Sequence, residues 1–239
     1  HAEAYNNMGA VFKDDGNPNR ALESFLRAIE LKPDYAEAYN NLGALYREMH
    51  NMPAALKSFL RLVELKPESA SAHNSLGVTY KDIKRIPLAI KCLKRAIEIE
   101  ADYVDAINNL GVAQMTYGHH DTATETFNHA LKLRPEDASI YVNMGTCFKE
   151  QGNIEKAIES YKRSIEIQPD LAEAHYNLGG VFLKNTQIDS AIESFQRAAE
   201  IRPNFAAAVC DLGIAFQEGT ELKAASEKYI EALTIDPEY

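Results

Sequence analysis

Small and apolar residues return along this chain with a period of 34. Glycine occupies one slot at Gly9, Gly43, Gly77, Gly111, Gly145, Gly179 and Gly213, and alanine another at Ala21, Ala55, Ala89, Ala123, Ala157, Ala191 and Ala225. Proline closes a unit at Pro33, Pro67, Pro135, Pro169, Pro203 and Pro237, and only Ala101 breaks that series. A constant period of this length predicts a tandem-repeat architecture. Unit positions are numbered from Ala2, Ala36, Ala70, Val104, Ala138, Ala172 and Ala206. At about 100° per residue, positions 4, 7, 8 and 11 fall on one side of a first helix. Positions 20, 24, 27 and 28 form the matching stripe of a second. Each unit therefore predicts a helix pair that buries its apolar faces only when a neighbour stacks on it.

The joints are legible in the same rows. Gly16, Gly118, Gly152 and Gly219 are expected between the two helices, where glycine favours a C-terminal cap. Pro18, Pro53 and Pro87 fall in or near the first turn of the second helix, where a missing N–H does no harm. The closing proline pushes its predecessor out of the helical region and ends the unit. Glycine inside the first helix costs about 1 kcal/mol against alanine. Facing the small residue at position 20, it is expected to let the two helices approach closely. The fourth unit departs most: it follows Ala101, has Ile107 and Gln114 in aromatic slots, and carries Gly118, His119 and His120 at its turn. Softening or bending is expected there.

The slots spell W-x2-L-G-x2-Y, then A-x3-F, then P, the tetratricopeptide (TPR) signature. The first reads Tyr5, Tyr39, His73, Ile107, Tyr141, His175 and Val209, never Trp. The Leu slot reads Met8, Leu42, Leu76, Leu110, Met144, Leu178 and Leu212. The late aromatic slot reads Phe25, Phe59, Leu93, Phe127, Tyr161, Phe195 and Tyr229. From Ala2 to Tyr239 the chain resembles TPR proteins without a gap. The resemblance implies an all-α fold, a right-handed αα-superhelix in which residues 1–239 form one solenoid of repeats 2–35, 36–69, 70–103, 104–137, 138–171, 172–205 and 206–239. It also implies that the first helices line a concave groove where such proteins bind extended or helical peptides.

Charge narrows the partners. The formal net charge is −10 at pH 7 and no basic run follows any helix face, which argues against nucleic acid. No apolar run reaches the roughly 18 residues that suggest a membrane span. Cys92, Cys147 and Cys210 have no metal-like spacing, there is no N-x-S/T sequon, and no signal-peptide pattern opens the chain. These point to a reducing compartment, cytoplasmic or nuclear. The chain begins with His1, not Met, and shows no extra capping helix, so it is expected to be a segment of a longer protein or an engineered chain.

The positions opposite the core stripe of the first helix are 2, 6, 9 and 13. Position 6 reads Asn7, Asn41, Ser75, Asn109, Asn143, Asn177 and Asp211. Asparagine is a poor helix former, because its amide competes for backbone groups. Five on one face form a ladder of donors and acceptors able to bracket an extended backbone. Position 2 adds Glu3, Glu37, Asp105 and Glu173, and position 13 adds Asp14, Glu48, Asp82, Glu150 and Glu218. The groove is expected to be acidic, tempered by Lys13, Arg47, Lys81 and Lys149 on its margin. This face resembles the TPR region of O-linked N-acetylglucosamine transferases, SPINDLY-type relatives included. The resemblance implies that the asparagines hold substrate polypeptide, although Ser75 and Asp211 depart from the pattern. The alternative is that they are repeat consensus, making only local or inter-repeat hydrogen bonds. A carboxylate clamp of the cochaperone kind needs cations at positions 2 and 6, which are acidic, small or amide here, so an acidic tail would meet like charge.

Chemistry requires convergent groups. His73 and His175 occupy a core slot, where packed neutral imidazoles are expected; His119 and His120 share a turn, with His129 on the following helix. No phosphate loop, Cys-x-x-Cys pair or zincin motif occurs. No catalytic residue, metal site or cofactor is expected. The leading expectation is a non-catalytic scaffold holding an extended peptide or partner segment through the asparagine ladder. One alternative is the substrate-recognition arm of a larger glycosyltransferase. Another is an architectural segment that self-associates through uncapped end helices.

Overall fold

The computed structural model of the chain describes residues 1–238. Tyr239, the last residue of the seventh repeat, lies outside the described residues. Among the described residues there are fourteen α-helices and no strand. The first helices of the repeats are α1 (Ala2–Asp14), α3 (Ala36–Glu48), α5 (Ala70–Asp82), α7 (Val104–Thr116), α9 (Ala138–Glu150), α11 (Ala172–Lys184) and α13 (Ala206–Glu218). The second helices are α2 (Pro18–Leu31), α4 (Met52–Leu65), α6 (Ile86–Ile99), α8 (His120–Leu133), α10 (Ile154–Ile167), α12 (Ile188–Ile201) and α14 (Leu222–Ile235). The chain divides into two compact units, residues 1–119 with α1 to α7 and residues 120–239 with α8 to α14. The division falls inside the fourth repeat, between its two helices.

The joint within a repeat is tighter than the glycines alone suggest. The backbone enters the left-handed region at position 15 in every repeat: Gly16 (φ 71°), His50 (56°), Lys84 (62°), Gly118 (87°), Gly152 (77°), Thr186 (56°) and Thr220 (66°). The next residue's N–H returns to the carbonyl of position 11, as in Asn17 to Phe12 (2.8 Å), Arg85 to Tyr80 (2.8 Å) and Glu221 to Phe216 (2.8 Å). This is the 6→1 bond of a Schellman cap, which satisfies orphan carbonyls at the helix end. The cap expected at Gly219 is shifted: Gly219 has φ −77°, and Thr220 takes the left-handed place. Nor does the missing proline at Ala101 lengthen α6. That helix ends at Ile99, and Glu100 is extended (φ −136°, ψ 96°) as Gln168 is before Pro169 (φ −134°, ψ 90°).

The conserved period of glycine has a more specific cause than a small partner at position 20. A Cβ on Gly9 would lie 2.6 Å from the Phe25 ring, on Gly43 2.7 Å from Phe59, on Gly145 2.7 Å from Tyr161 and on Gly179 2.8 Å from Phe195. The ring at position 24 lies across the first helix and fills the space that a side chain would need. Phe25, Phe127, Tyr161 and Phe195 are fully buried, as are Ala21, Ala123, Ala157 and Ala191 one turn earlier. Burying each ring contributes about 1.5–3 kcal/mol, which exceeds the helix-propensity cost of the glycine beneath it. Within each unit the second helix then packs on the next first helix: Phe25 clusters with Leu42 and Leu45, and Phe195 with Leu212 and Phe216.

Candidate functional site

The face opposite these contacts stays accessible. Asn41, Ser75, Asn109, Asn143, Asn177 and Asp211 are half-buried and Asn7 is exposed, as are Glu3, Glu37, Asp105 and Glu173 at position 2. The position-6 asparagines do not seal against their own hairpin. The Asn41 amide donates through Nδ2 to Oδ1 of Asn6 at 2.9 Å, and Asn109 likewise to Asn74 at 3.0 Å. Both bonds cross to the preceding repeat at a spacing of 35, one residue more than the period. In the second unit the same register joins the Tyr176 hydroxyl to the Asp211 carboxylate.

A second row, at position 5, therefore belongs to the site and was not among the expected residues. It reads Asn6, Asn40, Asn74, Asn108, Val142, Tyr176 and Cys210. The signal that marks it is the Asn-Asn dipeptide recurring at residues 6–7, 40–41 and 108–109. Inter-repeat bonding uses one N–H of Asn41 and of Asn109, while their side-chain carbonyls accept no hydrogen bond among the described residues. Asn7 and Asn177 make no side-chain hydrogen bond among the described residues. For Asn177 the partner at that register is Val142, which has no polar side-chain group.

The charges are partly committed. Glu37 accepts from the Tyr35 hydroxyl at 3.1 Å, and Glu173 from Arg202 at 3.3 Å. Lys13 pairs with Glu48 at 2.7 Å and Arg47 with Asp82 at 2.9 Å, again at a spacing of 35, from position 12 to position 13. Lys13 and Arg47 thus bridge repeats, whereas Lys81 lies 3.9 Å from Asp82 of its own repeat. In the second unit the residues at that register are Lys149 and Lys184, and neither forms an ion pair among the described residues. Burial raises the Asp211 carboxyl above its usual range, and the Tyr176 hydroxyl only partly offsets this.

Two open furrows lie away from the ladder residues. A furrow of about 840 Å³ is lined by Tyr141, Met144, Phe148 and Arg163, and one of about 770 Å³ by Tyr39, Leu42, Tyr46 and Leu60. Neither includes a residue of the ladder. The histidines are spread through joints. His73 and His175 place Nε2 2.9 Å from the carbonyl oxygens of Pro67 and Pro169, tying each first helix to the preceding turn, so they are turn staples more than core imidazoles. The Tyr39 hydroxyl makes the equivalent bond to Pro33 at 3.3 Å. His120 Nδ1 lies 3.6 Å from Glu150 and has no hydrogen-bond partner among the described residues. The thiols of Cys92, Cys147 and Cys210 are all pushed up by burial. Among the described residues no group of three His, Cys, Asp or Glu side chains converges to hold a metal ion, and no helix is long and apolar enough to cross a membrane.

A family model described as TPR repeat matches residues 12–49 and 147–186, and models described as tetratricopeptide repeat match residues 34–102, 104–137, 126–159 and 172–205. No curated protein matches the chain. Among solved structures, the MamA protein is 25% identical over 72% of this chain and 94% of its own, with a TM-score of 0.62. YrrB, titled a TPR protein with an unusual peptide-binding site, is 23% identical over 79% of this chain and 97% of its own, with a TM-score of 0.55. A tetratricopeptide repeat protein from Parabacteroides merdae is 14% identical over 98% of this chain and 93% of its own, with a TM-score of 0.81.

Proposed function

Because the chain belongs to the tetratricopeptide-repeat family, and so is a scaffold for protein–protein interaction, we propose that it holds an extended polypeptide along the first-helix face of a unit through that unit's asparagine rows. The observation that carries this is unspent hydrogen-bonding capacity at position 6 of the repeats, within each unit taken by itself. Among the described residues Asn7 and Asn177 use none of theirs, and Asn41 and Asn109 keep their carbonyls. A polypeptide backbone offers one donor and one acceptor per residue, which an amide matches without reading side chains. The inter-repeat bonds of Asn41 and Asn109 fix the amide planes beforehand, which lowers the entropic cost of binding. The scaffold itself is non-catalytic in this reading. YrrB, with the same helix-pair fold, has a peptide-binding site.

The test uses Asn7→Ala with Asn177→Ala, because neither residue supports the fold through a side-chain bond. Polypeptides selected on the unaltered chain from a displayed random-peptide library should bind the double variant roughly two- to tenfold more weakly, with the melting temperature unchanged. A polypeptide held on either unit loses one hydrogen bond in the double variant, about 0.5–1.5 kcal/mol, which is roughly two- to tenfold in affinity. Equal affinity for both proteins would remove the ladder from the binding surface.

A further inference from the structure

We propose that the second unit carries a subsite centred on Gly180, which takes a bulky apolar side chain from an acidic stretch of the bound polypeptide. The inference rests on the reading of the first-helix face given above and specifies which partners that face prefers. It starts from a glycine that the fold does not need. A Cβ added to Gly180 would meet nothing within 4 Å, whereas one on the adjacent Gly179 would strike the Phe195 ring at 2.8 Å. Gly180 lies inside α11 with no left-handed backbone to require it. Glycine is the poorest helix former after proline, so the absence of a side chain here serves neither packing nor backbone.

Gly180 is at position 9, on the ladder face. Ala10, Ala44, Val78, Val112, Thr146 and Ile214 occupy the same slot elsewhere, and all carry a Cβ. The glycine therefore leaves bare backbone on this face where Thr146 and Ile214 carry side chains in the neighbouring repeats. On its own helix the residues a turn away are Tyr176 and Leu183, at spacings of four and three. The Tyr176 ring is held in place by Phe205 at 4.9 Å and Phe195 at 5.8 Å, and its hydroxyl by Asp211. Ile214 is 38% exposed. Tyr176 and Leu183 pack against the core on one side and are half-buried, and with the exposed Ile214 and the bare backbone of Gly180 they offer apolar surface to a large apolar side chain.

The charge preference comes from the register that joins repeats. In the first unit, positions 12 and 13 of successive repeats meet as Lys13–Glu48 and Arg47–Asp82. In the second unit the same register holds Lys149 and Lys184, two cations, and neither has an ion pair among the described residues. The acidic neighbour of Lys149, Glu150, is 3.6 Å from His120, and Asp211 accepts from Tyr176. Glu218, at position 13 of the next repeat, is in no ion pair with Lys184. Two cations at a register that holds opposite charges in the first unit are satisfied by an acidic side chain of the partner, one turn of α11 from Gly180.

The experiment is selection from a random-peptide library displayed on phage, with the intact chain as bait, followed by affinity measurement on synthetic copies of the selected peptides. Peptides selected on the unaltered chain should carry an aromatic or branched aliphatic residue beside Asp or Glu. Gly180→Leu, which covers the bare backbone with a good helix former, should weaken them at least about tenfold while the melting temperature holds or rises. Lys149→Glu with Lys184→Glu should turn the selected acidic residue into Lys or Arg. Peptides without this signature, or equal affinity for Gly180→Leu, would overturn the subsite. If those peptides still weaken on Asn7→Ala with Asn177→Ala, the ladder reading survives alone. Selection of no peptide by the unaltered chain would overturn both.

Discussion

Asp211 occupies the slot that asparagine fills in five of the seven repeats, and its environment shows what the exchange costs. Burial of the carboxylate raises its pKa, and the Tyr176 hydroxyl recovers only part of that shift. A carboxyl whose pKa is higher in the folded than in the unfolded state binds protons more tightly when folded. Its contribution to stability is complete below about pH 4 and is lost as pH rises through the raised folded value. Asp211→Asn keeps an acceptor for Tyr176 and removes the charge. It should therefore raise stability at pH 7 by on the order of 0.5 kcal/mol, once solvent screening of a half-buried group is allowed for. Below about pH 4 the gain should vanish, since both side chains are then neutral. Melting curves of the two proteins at pH 3.5 and pH 7 check this, and a difference that does not change with pH would refute the assignment. Asp137 has the opposite sign. Burial again raises its carboxyl, but Ser139, Arg134 and the N–H groups of Ile140 and Ser139 outweigh it and hold the pKa below its usual value. That cap of α9 gives stability present above the ordinary aspartate range and lost as pH falls through the lowered value.

Within a helix pair, the elements follow from local rules that the sequence displays openly. The 3.6-residue period, the glycine under an aromatic ring and the residue before proline each act over one or two turns, so the pattern of a single unit contains them. Two features were hidden, for different physical reasons. The left-handed residue at position 15 is glycine in only three repeats. His50, Lys84, Thr186 and Thr220 adopt the same φ because the Schellman bond and the packed helices hold them there. The position-5 row was hidden because its partner lies one residue beyond the period. That offset is set by how one helix pair tilts on the next, which no single-helix wheel encodes. Likewise Ala101 misled, since the end of α6 is held by the helix packing that surrounds it and not by a proline. The strained joint gives a direct test. A β-branched residue at φ 66° carries a penalty of about 1–2 kcal/mol that glycine avoids, offset in part by the extra freedom glycine gives the unfolded chain. Thr220→Gly should stabilise the α13–α14 hairpin by about 1 kcal/mol, read as a rise in the denaturation midpoint with an unchanged slope. A fall would show that the threonine side chain supports the turn more than its backbone strains it.

Across the chain, stability is a sum of terms within repeats and between nearest neighbours, so a weak repeat lowers protection locally. The fourth repeat is where several terms are missing together. Gln114 stands where Phe12, Tyr46, Tyr80 and Phe148 stand half-buried in other repeats, which forgoes on the order of 1 kcal/mol of ring burial, part of what full burial would give. Arg–Glu pairs three residues apart brace α2, α4, α6, α10 and α12, from Arg27–Glu30 (2.7 Å) to Arg197–Glu200 (3.0 Å). The same positions of α8 are His129 and Lys132, two groups that cannot attract each other. The loss per exposed pair is small, about 0.3–0.5 kcal/mol, yet it adds to the missing ring. The boundary between the two compact units also lies here, between His119 and His120. Against these, Ile107 remains buried at 1% exposure and the Schellman bond from His119 to Gln114 is intact at 2.9 Å. The missing ring is the largest of these terms, so amide exchange among the interior repeats should be fastest over residues 101–124. Hydrogen-exchange mass spectrometry reads this directly, peptide by peptide. Equal protection across the second to sixth repeats would mean that the buried aliphatic at position 4 and the intact cap replace what the aromatic would have supplied. In the other outcome, Gln114→Tyr should bring residues 101–124 up to the protection of their neighbours while leaving distant repeats unchanged.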